Sequence, residues 1–195
     1  MSTPSVNLRD LRILIADPSA YTRRVIVGIL RGFGANRFLE VDRSLQVLGA
    51  LTNQKIDILL CDELIPEKGG LALTRTIRLN ERNENRTIPI LIMSSNPSEG
   101  SIKSCRDAGA NMVIAKPISP KSLYDRIYWL AYTSRPFIDT ATYFGPDRRF
   151  KIEGYPNGVG RRKGDNPIEI AEDVGPALAQ DDIDNLFSAV RTGNS

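Results

Sequence analysis

The sequence contains no histidine among its 195 residues. This absence excludes imidazole as a general base, as a metal ligand and as the phosphorylated side chain of a histidine kinase or phosphotransfer protein. Cysteine is almost as scarce: Cys61 lies in an apolar run and Cys105 in a helical stretch. Two such residues form neither a disulfide framework nor a metal cluster, and both are expected to be buried, reduced thiols. Any chemistry must therefore use carboxylate, hydroxyl or amine groups.

Long apolar runs are absent as well. No run of about 18 uncharged apolar residues occurs, as a membrane span would require, and the N-terminal segment MSTPSVNLRD lacks the apolar core of a signal peptide. With 41% hydrophobic and 25% charged residues, the composition is typical of a soluble globular protein with one domain and an appendage. We expect a cytoplasmic protein.

The net charge of +3 is unevenly distributed along the chain. Between residues 148 and 163 six cations accompany one anion, and between residues 165 and 184 seven anions occur without a cation. The C-terminal tail thus has a basic block followed by an acidic block. The two blocks either fold back on each other or bind separate partners.

Short apolar runs alternate with amphipathic stretches up to residue 132. The runs are rich in Ile, Leu and Val and are bounded by turn-forming residues, so they are predicted to be strands buried on both faces. The predicted strands are RILIA (12–16), NRFLEV (36–41), IDILLC (56–61), PILIMS (89–94) and MVIA (112–115). Helical spacing marks residues 20–34, 44–54, 70–81, 98–109 and 119–132. This alternation predicts an α/β fold with a doubly wound parallel sheet.

Proline and glycine interrupt the chain after Tyr132. Too few apolar residues follow to order the segment by themselves, so a largely irregular tail is predicted. Near its end, Ile183, Leu186 and Phe187 lie on one side of an amphipathic helical pattern whose other side is acidic. The predicted organisation is an N-terminal extension (1–10), a globular domain (11–132), a linker with the basic block (133–176) and a terminal acidic amphipathic helix (177–195).

Polar side chains stand at the ends of four predicted strands. Asp17 follows the first strand, Asp62 the third and Lys116 the fifth, and Ser94 ends the fourth. Because the carboxyl ends of parallel strands meet at one edge of a sheet, we expect these side chains to lie together. Each alone could be a turn cap or a solvated charge. Together, two carboxylates, a hydroxyl and a lysine are suited to a divalent cation and a phosphoryl group.

These motifs resemble the receiver domain of two-component response regulators, the CheY-like fold, over about residues 11–131. The matching stretches, in order, are ILIAD, IDILLCDELIPEKGG, PILIMSS and AGANMVIAKPIS. The resemblance implies a flavodoxin-like sheet of strand order 2-1-3-4-5. It also implies signalling in a phosphorelay, in a setting such as chemotaxis or flagellar control. The only chemistry it implies is self-phosphorylation and self-dephosphorylation, not classical enzyme activity.

The resemblance also implies a role for each polar residue. Asp62 would be the phosphoacceptor, taking a phosphoryl group from a histidine kinase or phosphotransfer protein. Mg²⁺ would be held by Asp17, Asp62 and the backbone carbonyl of Leu64. Lys116 would pair with the carboxylate of Asp62 and then with the phosphoryl group. Ser94 would swing in to hydrogen-bond a phosphoryl oxygen.

Three positions depart from the family pattern. Pro18 stands where a second acid usually follows the first strand, which predicts weakened Mg²⁺ affinity and slow or lost phosphorylation. Val113 replaces the aromatic residue that usually turns inward on activation. Glu63 either stands in partly for the missing acid or is solvent-exposed, and exposure is the preferred interpretation. The peptide bond before Pro117 is expected to be cis, as in the family.

The basic block suggests a second function. Arg148, Arg149, Arg161 and Arg162 are planar cations suited to phosphates and guanine edges, and nearby aromatic residues such as Tyr143 offer stacking faces. The composition is similar to that of arginine-rich tails of CheY-like proteins that bind cyclic di-GMP. A solvated or acid-pairing run is the alternative interpretation. The alternative function is therefore a pseudo-receiver adaptor that binds an anionic nucleotide.

The terminal segment LAQDDIDNLF (178–187) resembles the N-terminal segment of the flagellar switch protein FliM that docks on activated CheY. The resemblance implies docking through Ile183, Leu186 and Phe187 on the fourth-helix, fifth-strand and fifth-helix face of this or another receiver. That face is expected to include Tyr124, Tyr128 and Trp129. A generic acidic amphipathic helix is the alternative. The tail is too poor in apolar residues for a helix-turn-helix, so no DNA-binding domain is expected.

Overall fold

The chain folds around a five-stranded parallel sheet in the computed structural model, which describes residues 8–132, 135–140 and 142–148. The strands are β1 (Arg12–Ala16), β2 (Arg37–Val41), β3 (Ile58–Asp62), β4 (Ile90–Ser94) and β5 (Met112–Ala115). The helices are α1 (Ala20–Gly32), α2 (Ser44–Asn53), α3 (Gly69–Leu79), α4 (Glu99–Asp107) and α5 (Pro120–Tyr132), with a 3₁₀ turn at Glu84–Thr87. The strand order is β2-β1-β3-β4-β5. Both the predicted fold and the predicted order are confirmed, and each boundary lies within two residues of its prediction.

The core has two halves, one on each face of the sheet. Successive side chains of a strand point to opposite faces, and burial follows that alternation. Leu14 of β1 and Ile92 of β4 pack with α2, α3 and α4 on one face, which we call the α2–α4 face. Ile15 of β1 and Leu60 of β3 pack with α1 and α5 on the other, the α1–α5 face. The same alternation decides which face each polar residue at a strand end occupies.

Local signals position the helices. The Ser19 hydroxyl accepts a hydrogen bond from the Thr22 amide at 3.2 Å and so caps the start of α1. After the end of α1, Gly34 has a φ of +87°, and the Ala35 amide donates to the Leu30 carbonyl at 3.0 Å. This is the left-handed glycine ending typical of helices. It turns the chain directly into the approach to β2.

An antiparallel hairpin follows α5. Its strands are β6 (Phe137–Thr140) and β7 (Tyr143–Pro146). Tyr143 is buried, and its hydroxyl donates to the Pro146 carbonyl at 2.7 Å. The hairpin lies inside the segment expected to be a linker, where the sequence predicts no strand.

The hairpin packs against a buried arginine at the end of α3. Arg78 is 1% exposed, and its Nε donates to the Gly109 carbonyl at 2.9 Å. Its guanidinium lies 5.1 Å from the Phe137 ring centroid. Burial lowers the pKa of Arg78 to about 9, which leaves it charged at neutral pH. Gly109 precedes β5, so the hairpin sits beside the amino ends of the strands, away from their carboxyl edge.

The predicted terminal helix, and the linker beyond residue 148, lie outside the described residues. Within the part of the chain that the structure describes, no helix has the length and apolar character needed to cross a bilayer.

Candidate functional site

Two carboxylates and one lysine meet at the carboxyl edge of the sheet. The Lys116 Nζ donates to Asp17 Oδ2 at 2.6 Å and also to Asp62 Oδ2. The side chains are largely withdrawn from solvent, with exposures of 1% for Asp17, 9% for Asp62 and 18% for Lys116. The structure thus brings together three of the four predicted site residues.

The register of the strands explains why these three meet. Asp17 comes two residues after Ile15, and Asp62 two after Leu60, so both continue the α1–α5 face. Lys116 stands in the same relation to Ile114 of β5, another member of that half of the core. Because Asp17, Asp62 and Lys116 all lie on the α1–α5 face at the carboxyl edge of the sheet, their side chains come close together.

The charge balance of the site keeps the lysine protonated. Burial by itself would lower the pKa of Lys116, but hydrogen bonds and the negative charges of Asp17 and Asp62 outweigh burial and raise that pKa above its ordinary value. One ammonium group therefore compensates two carboxylates. Its point charge is free to follow negative charge that develops on either of them.

Backbone amides fix the orientation of both acids. The Ser19 amide donates to Asp17 Oδ1 at 2.8 Å, and the Leu64 amide donates to Asp62 Oδ1 at 2.8 Å. These are turns in which an aspartate accepts from the amide two residues on. In each carboxylate one oxygen is held by the backbone and the other by Lys116.

The loop after β3 needs glycine at the start of α3. A Cβ atom on Gly70 would lie 2.7 Å from the Asp62 carbonyl oxygen, and the Gly70 amide donates to the Glu63 carbonyl at 2.8 Å. In the same loop, the Glu67 carboxylate accepts from the Leu45 amide at 2.8 Å and ties the loop to the start of α2. The stretch CDELIPEKGG therefore closes tightly behind Asp62.

The fourth predicted residue, Ser94, has a different partner. Its hydroxyl donates to the carboxylate of Glu63 and accepts from the Asn96 amide at 3.2 Å. Glu63 is half-buried against this hydroxyl, so the expectation that it is solvent-exposed is wrong. Ser94 follows Ile92 by two residues and Glu63 follows Cys61 by two, which places both on the α2–α4 face. Counting residues from the strand centres would have revealed this pair.

The donor set fits a magnesium ion. Mg²⁺ prefers hard oxygen ligands and is usually held by one or two carboxylates while it keeps several waters. Asp17 and Asp62 supply two carboxylates at one edge, and the backbone carbonyl of Leu64 lies in the adjoining loop. Pro18 is exposed, and its side chain offers no oxygen to a metal ion. Among the described residues, no group of three acidic, histidine or cysteine side chains is arranged to hold a metal. Two carboxylates and one carbonyl form a small set of protein ligands, and weakened Mg²⁺ affinity stays a prediction.

Other residues of the expected site and signalling surface can also be placed. The Lys116–Pro117 bond is cis, as expected. Val113 is half-buried and packs on the α2–α4 face. Tyr124 makes an edge contact with Phe33 at the end of α1, with ring centroids 5.1 Å apart.

Tyr128 stacks on Tyr124 at 6.1 Å. Tyr124 and Tyr128 thus lie together on α5, with Tyr124 beside Phe33, and their place in a docking face stays a prediction. Trp129 lies under the guanidinium of Arg135, 5.9 Å from its ring.

Of the four arginines in the predicted anion site, only Arg148 is described. Its guanidinium lies 4.2 Å from the Tyr143 ring centroid, and its Nη1 lies 3.1 Å from Asp107 Oδ1. Arg149, Arg161 and Arg162 lie outside the described residues, as do Ile183, Leu186 and Phe187. Nucleotide binding and tail docking therefore stay predictions.

Both cysteines are buried, as predicted, and are described as free thiols. Burial, with smaller effects of Asp62 and Asp17, raises the pKa of the Cys61 thiol far above its ordinary value. Burial and the neighbouring Glu63 raise the pKa of Cys105 to about 11. Neither side chain carries the character of a reactive thiolate.

Comparisons with known proteins agree with this geometry. The family model of the response regulator receiver domain matches residues 13–128. The chain is 27% identical over 118 residues to a chemotaxis protein CheY homolog of Campylobacter jejuni, covering 60% of this chain and 89% of that protein. It is 29% identical over 135 residues to the sensory/regulatory protein RpfC of Xanthomonas campestris, covering 69% of this chain but only 18% of RpfC.

A solved structure shares the same fold. The receiver domain of a sensor histidine kinase from Pseudomonas aeruginosa, with a magnesium ion coordinated in its active-site cleft, superimposes with a TM-score of 0.54. The two chains are 30% identical, and the match covers 62% of this chain and 95% of that one.

Proposed function

This chain belongs to the response regulator receiver domain family, and we propose that it is a switch in a two-component phosphorelay with Asp62 as phosphoacceptor. The observation that carries the proposal is the single ammonium group of Lys116 held between Asp17 and Asp62 at the carboxyl edge of the sheet. That arrangement suits a carboxylate that gains a phosphoryl group beside a mobile point charge.

The proposed reaction is attack of an Asp62 carboxylate oxygen on the phosphorus of the donor. The new oxygen–phosphorus bond makes Asp62 a mixed anhydride. The bond from phosphorus to the donor's nitrogen or oxygen breaks, and its electron pair leaves with the donor. The Lys116 ammonium group then donates its hydrogen bond to a phosphoryl oxygen instead of to the Asp62 oxygen. Its hydrogen bond to Asp17 holds the ammonium group in place. Asp17, Asp62 and the Leu64 carbonyl would hold Mg²⁺, which when bound neutralises charge on the phosphoryl oxygens.

In the proposed phosphorelay, the phosphoryl group must come from a histidine outside these 195 residues. These residues contain no histidine, so none of them can carry the phosphoryl group of a phosphohistidine. We propose a histidine kinase or phosphotransfer protein as donor, and a setting in chemotaxis or flagellar control. The similarity to proteins named as chemotaxis CheY homologues supports that setting.

Labelling by a small phosphodonor tests the proposal. With Mg²⁺ and acetyl phosphate, we expect the intact mass of the wild-type chain to increase by one phosphoryl group. Asp62→Asn keeps the shape of the side chain but removes the nucleophile, so no increase is expected. Asp125→Asn, a neutralised exposed acid on α5, is the matched control and should be labelled normally. No label on the wild type, under conditions that label another receiver, would mean that the phosphoryl switch is lost.

The proposed output is protein contact through the face of α4, β5 and α5 and through the tail. Ile102 of α4 is a large apolar side chain that is 46% exposed. The segment with Ile183, Leu186 and Phe187 would dock on this face, in its own receiver or another one. The motif resemblance supports this step.

Removing residues 177–195 tests the docking step. We expect the shortened chain to differ from the full chain in its phosphorylation rate or in its affinity for a partner receiver. Leu186→Ala with Phe187→Ala in the full chain should reproduce the effect, because both changes remove apolar contact area. A shortened chain identical in both measurements would exclude docking.

Binding of cyclic di-GMP through Arg148, Arg149, Arg161 and Arg162 stays the alternative. Arg148 already pairs with Asp107 and stacks on Tyr143, so a nucleotide would have to replace those contacts. No contact among the described residues favours this function over the switch. Calorimetric titration tests it, and absence of heat at tens of micromolar ligand would exclude it.

A further inference from the structure

Glu63 and Ser94 form a hydrogen-bonded pair next to the proposed phosphoacceptor, and no role in the phosphoryl switch has been assigned to Glu63. β3 and β4 pair in parallel with Asp62 opposite Met93, and the Glu63 amide continues the ladder to the Met93 carbonyl at 2.9 Å. The next residues, Glu63 and Ser94, are therefore neighbours on the α2–α4 face. Asp62 and Lys116 belong to the opposite face.

We propose that Glu63 is a positioning residue that holds the Ser94 hydroxyl in its resting orientation. If Asp62 is phosphorylated as proposed, the hydrogen bond from Ser94 to Glu63 must break before Ser94 can donate to the phosphoryl group. Ser94 is 1% exposed, so water cannot easily replace the lost partner. Glu63 thereby opposes the phosphorylated state.

The electrostatics of the edge act in the same direction. Lys116 pairs with Asp17 and Asp62 on the opposite face of the sheet from Glu63. Phosphorylation adds negative charge one residue away from the Glu63 carboxylate. Because like charges in a partly buried site repel, Glu63 is expected to resist that addition.

Glu63 also connects this pair to α4. The carboxylate of Glu63 is on the α2–α4 face, where Cys105 of α4 also packs. Release of Ser94 would leave Glu63 without its hydroxyl partner in this half-buried place. The carboxylate would then have to turn toward solvent or toward α4, on the signalling side of the domain.

A double-mutant cycle with beryllofluoride, a mimic of the phosphoryl group, tests the proposal. With Mg²⁺ present, Glu63→Ala should tighten beryllofluoride binding by about tenfold, the size expected for a hydrogen bond to a charged group. In the Ser94→Ala background the same change should have a much smaller effect, because no hydroxyl remains to be released. Glu63→Gln keeps an acceptor but removes the charge, and should give an intermediate value.

The control is Glu99→Gln, which removes an exposed carboxylate at the start of α4 and should leave binding unchanged. An equal effect of Glu63→Ala with and without Ser94 would overturn the positioning role, because charge repulsion alone would then account for it.

A second measurement keeps the inference separate from the phosphoryl switch. The three-bond couplings of Ser94, measured by NMR on the full chain, should report one side-chain rotamer in the wild type and averaging in Glu63→Ala. A single unaveraged rotamer in Glu63→Ala would overturn the proposal. If the Ser94 rotamers are averaged in Glu63→Ala but no variant binds beryllofluoride, Glu63 still positions Ser94 and the phosphoryl switch is rejected.

Discussion

At the scale of single residues, Pro18 occupies the position where the resemblance to receiver domains predicts a second acid. It follows Asp17 directly and is exposed, so it neither packs in the core nor offers an oxygen from its side chain. The site therefore presents two carboxylates where the family pattern has three.

Pro18→Asp is expected to strengthen Mg²⁺ binding. One more carboxylate about 4 Å from a cation contributes roughly 1 to 4 kcal/mol per unit charge, for an effective dielectric constant between about 80 and 20. The dissociation constant measured by calorimetric titration should fall by at least several-fold. Phosphorylation by acetyl phosphate at low Mg²⁺ should become faster.

Pro18→Ala is the matched control, since it removes the proline ring without adding a ligand. It should bind Mg²⁺ like the wild type. Equal affinity in Pro18→Asp and Pro18→Ala would show that the position does not face the metal.

The hairpin is the main departure from expectation at the scale of elements. β6 and β7 have four residues each and contain Gly145 and Pro146, and an isolated two-stranded hairpin is marginally stable in water. It is stable here because Phe144 lies under the guanidinium of Arg86 at 3.5 Å and Tyr143 is buried. Arg86 is more than 50 residues away from Phe144 in sequence, and local patterns cannot show such a contact.

Tyr143→Ala in the full chain should lower the free energy of unfolding by about 2 to 4 kcal/mol. The loss combines the buried area of a large side chain with the contacts of the hairpin around it. Chemical denaturation measures the change. Tyr143→Phe should lose only about 1 kcal/mol, because it removes the bond to the Pro146 carbonyl but keeps the ring. Equal stability of all three proteins would show that the hairpin adds nothing to the folded domain.

The sheet itself could be predicted from sequence because its central strands, β3 and β4, are nearly continuous apolar runs. All five residues of β3 and of β4 are buried, and such runs are typical of strands between two helical layers. The meeting of Asp17, Asp62 and Lys116 followed from the shared edge. Ser94 pairs with Glu63 because both lie on the α2–α4 face of that edge. A prediction that considers only the edge could not separate this pair from the cluster of Asp17, Asp62 and Lys116 on the other face.

At the scale of the whole molecule, the two buried carboxylates among the described residues, Asp17 and Asp62, lie together at that edge, whereas the buried Arg78 lies beside the amino ends of the strands. Asp17 is almost completely buried, and Lys116 compensates both it and Asp62. Breaking a buried ion pair by removing one partner is far more costly than removing an exposed one. The arrangement that we propose for phosphoryl transfer is thus also a determinant of global stability.

Lys116→Met should therefore destabilise the folded chain, by about 3 kcal/mol at neutral pH. Lys121→Met, which removes an exposed pair with Asp125 on α5, is the control and should cost less than about 0.5 kcal/mol. The pKa of Lys116 is raised by folding, so its contribution is complete below its ordinary value of 10.5 and is lost as pH rises through the higher folded-state pKa. Denaturation curves of wild type and Lys116→Met should differ by a constant amount from pH 7 to 9 and converge at more alkaline pH. A difference that grows with pH would show that Lys116 does not compensate the two acids, because only a protonated lysine can stabilise them.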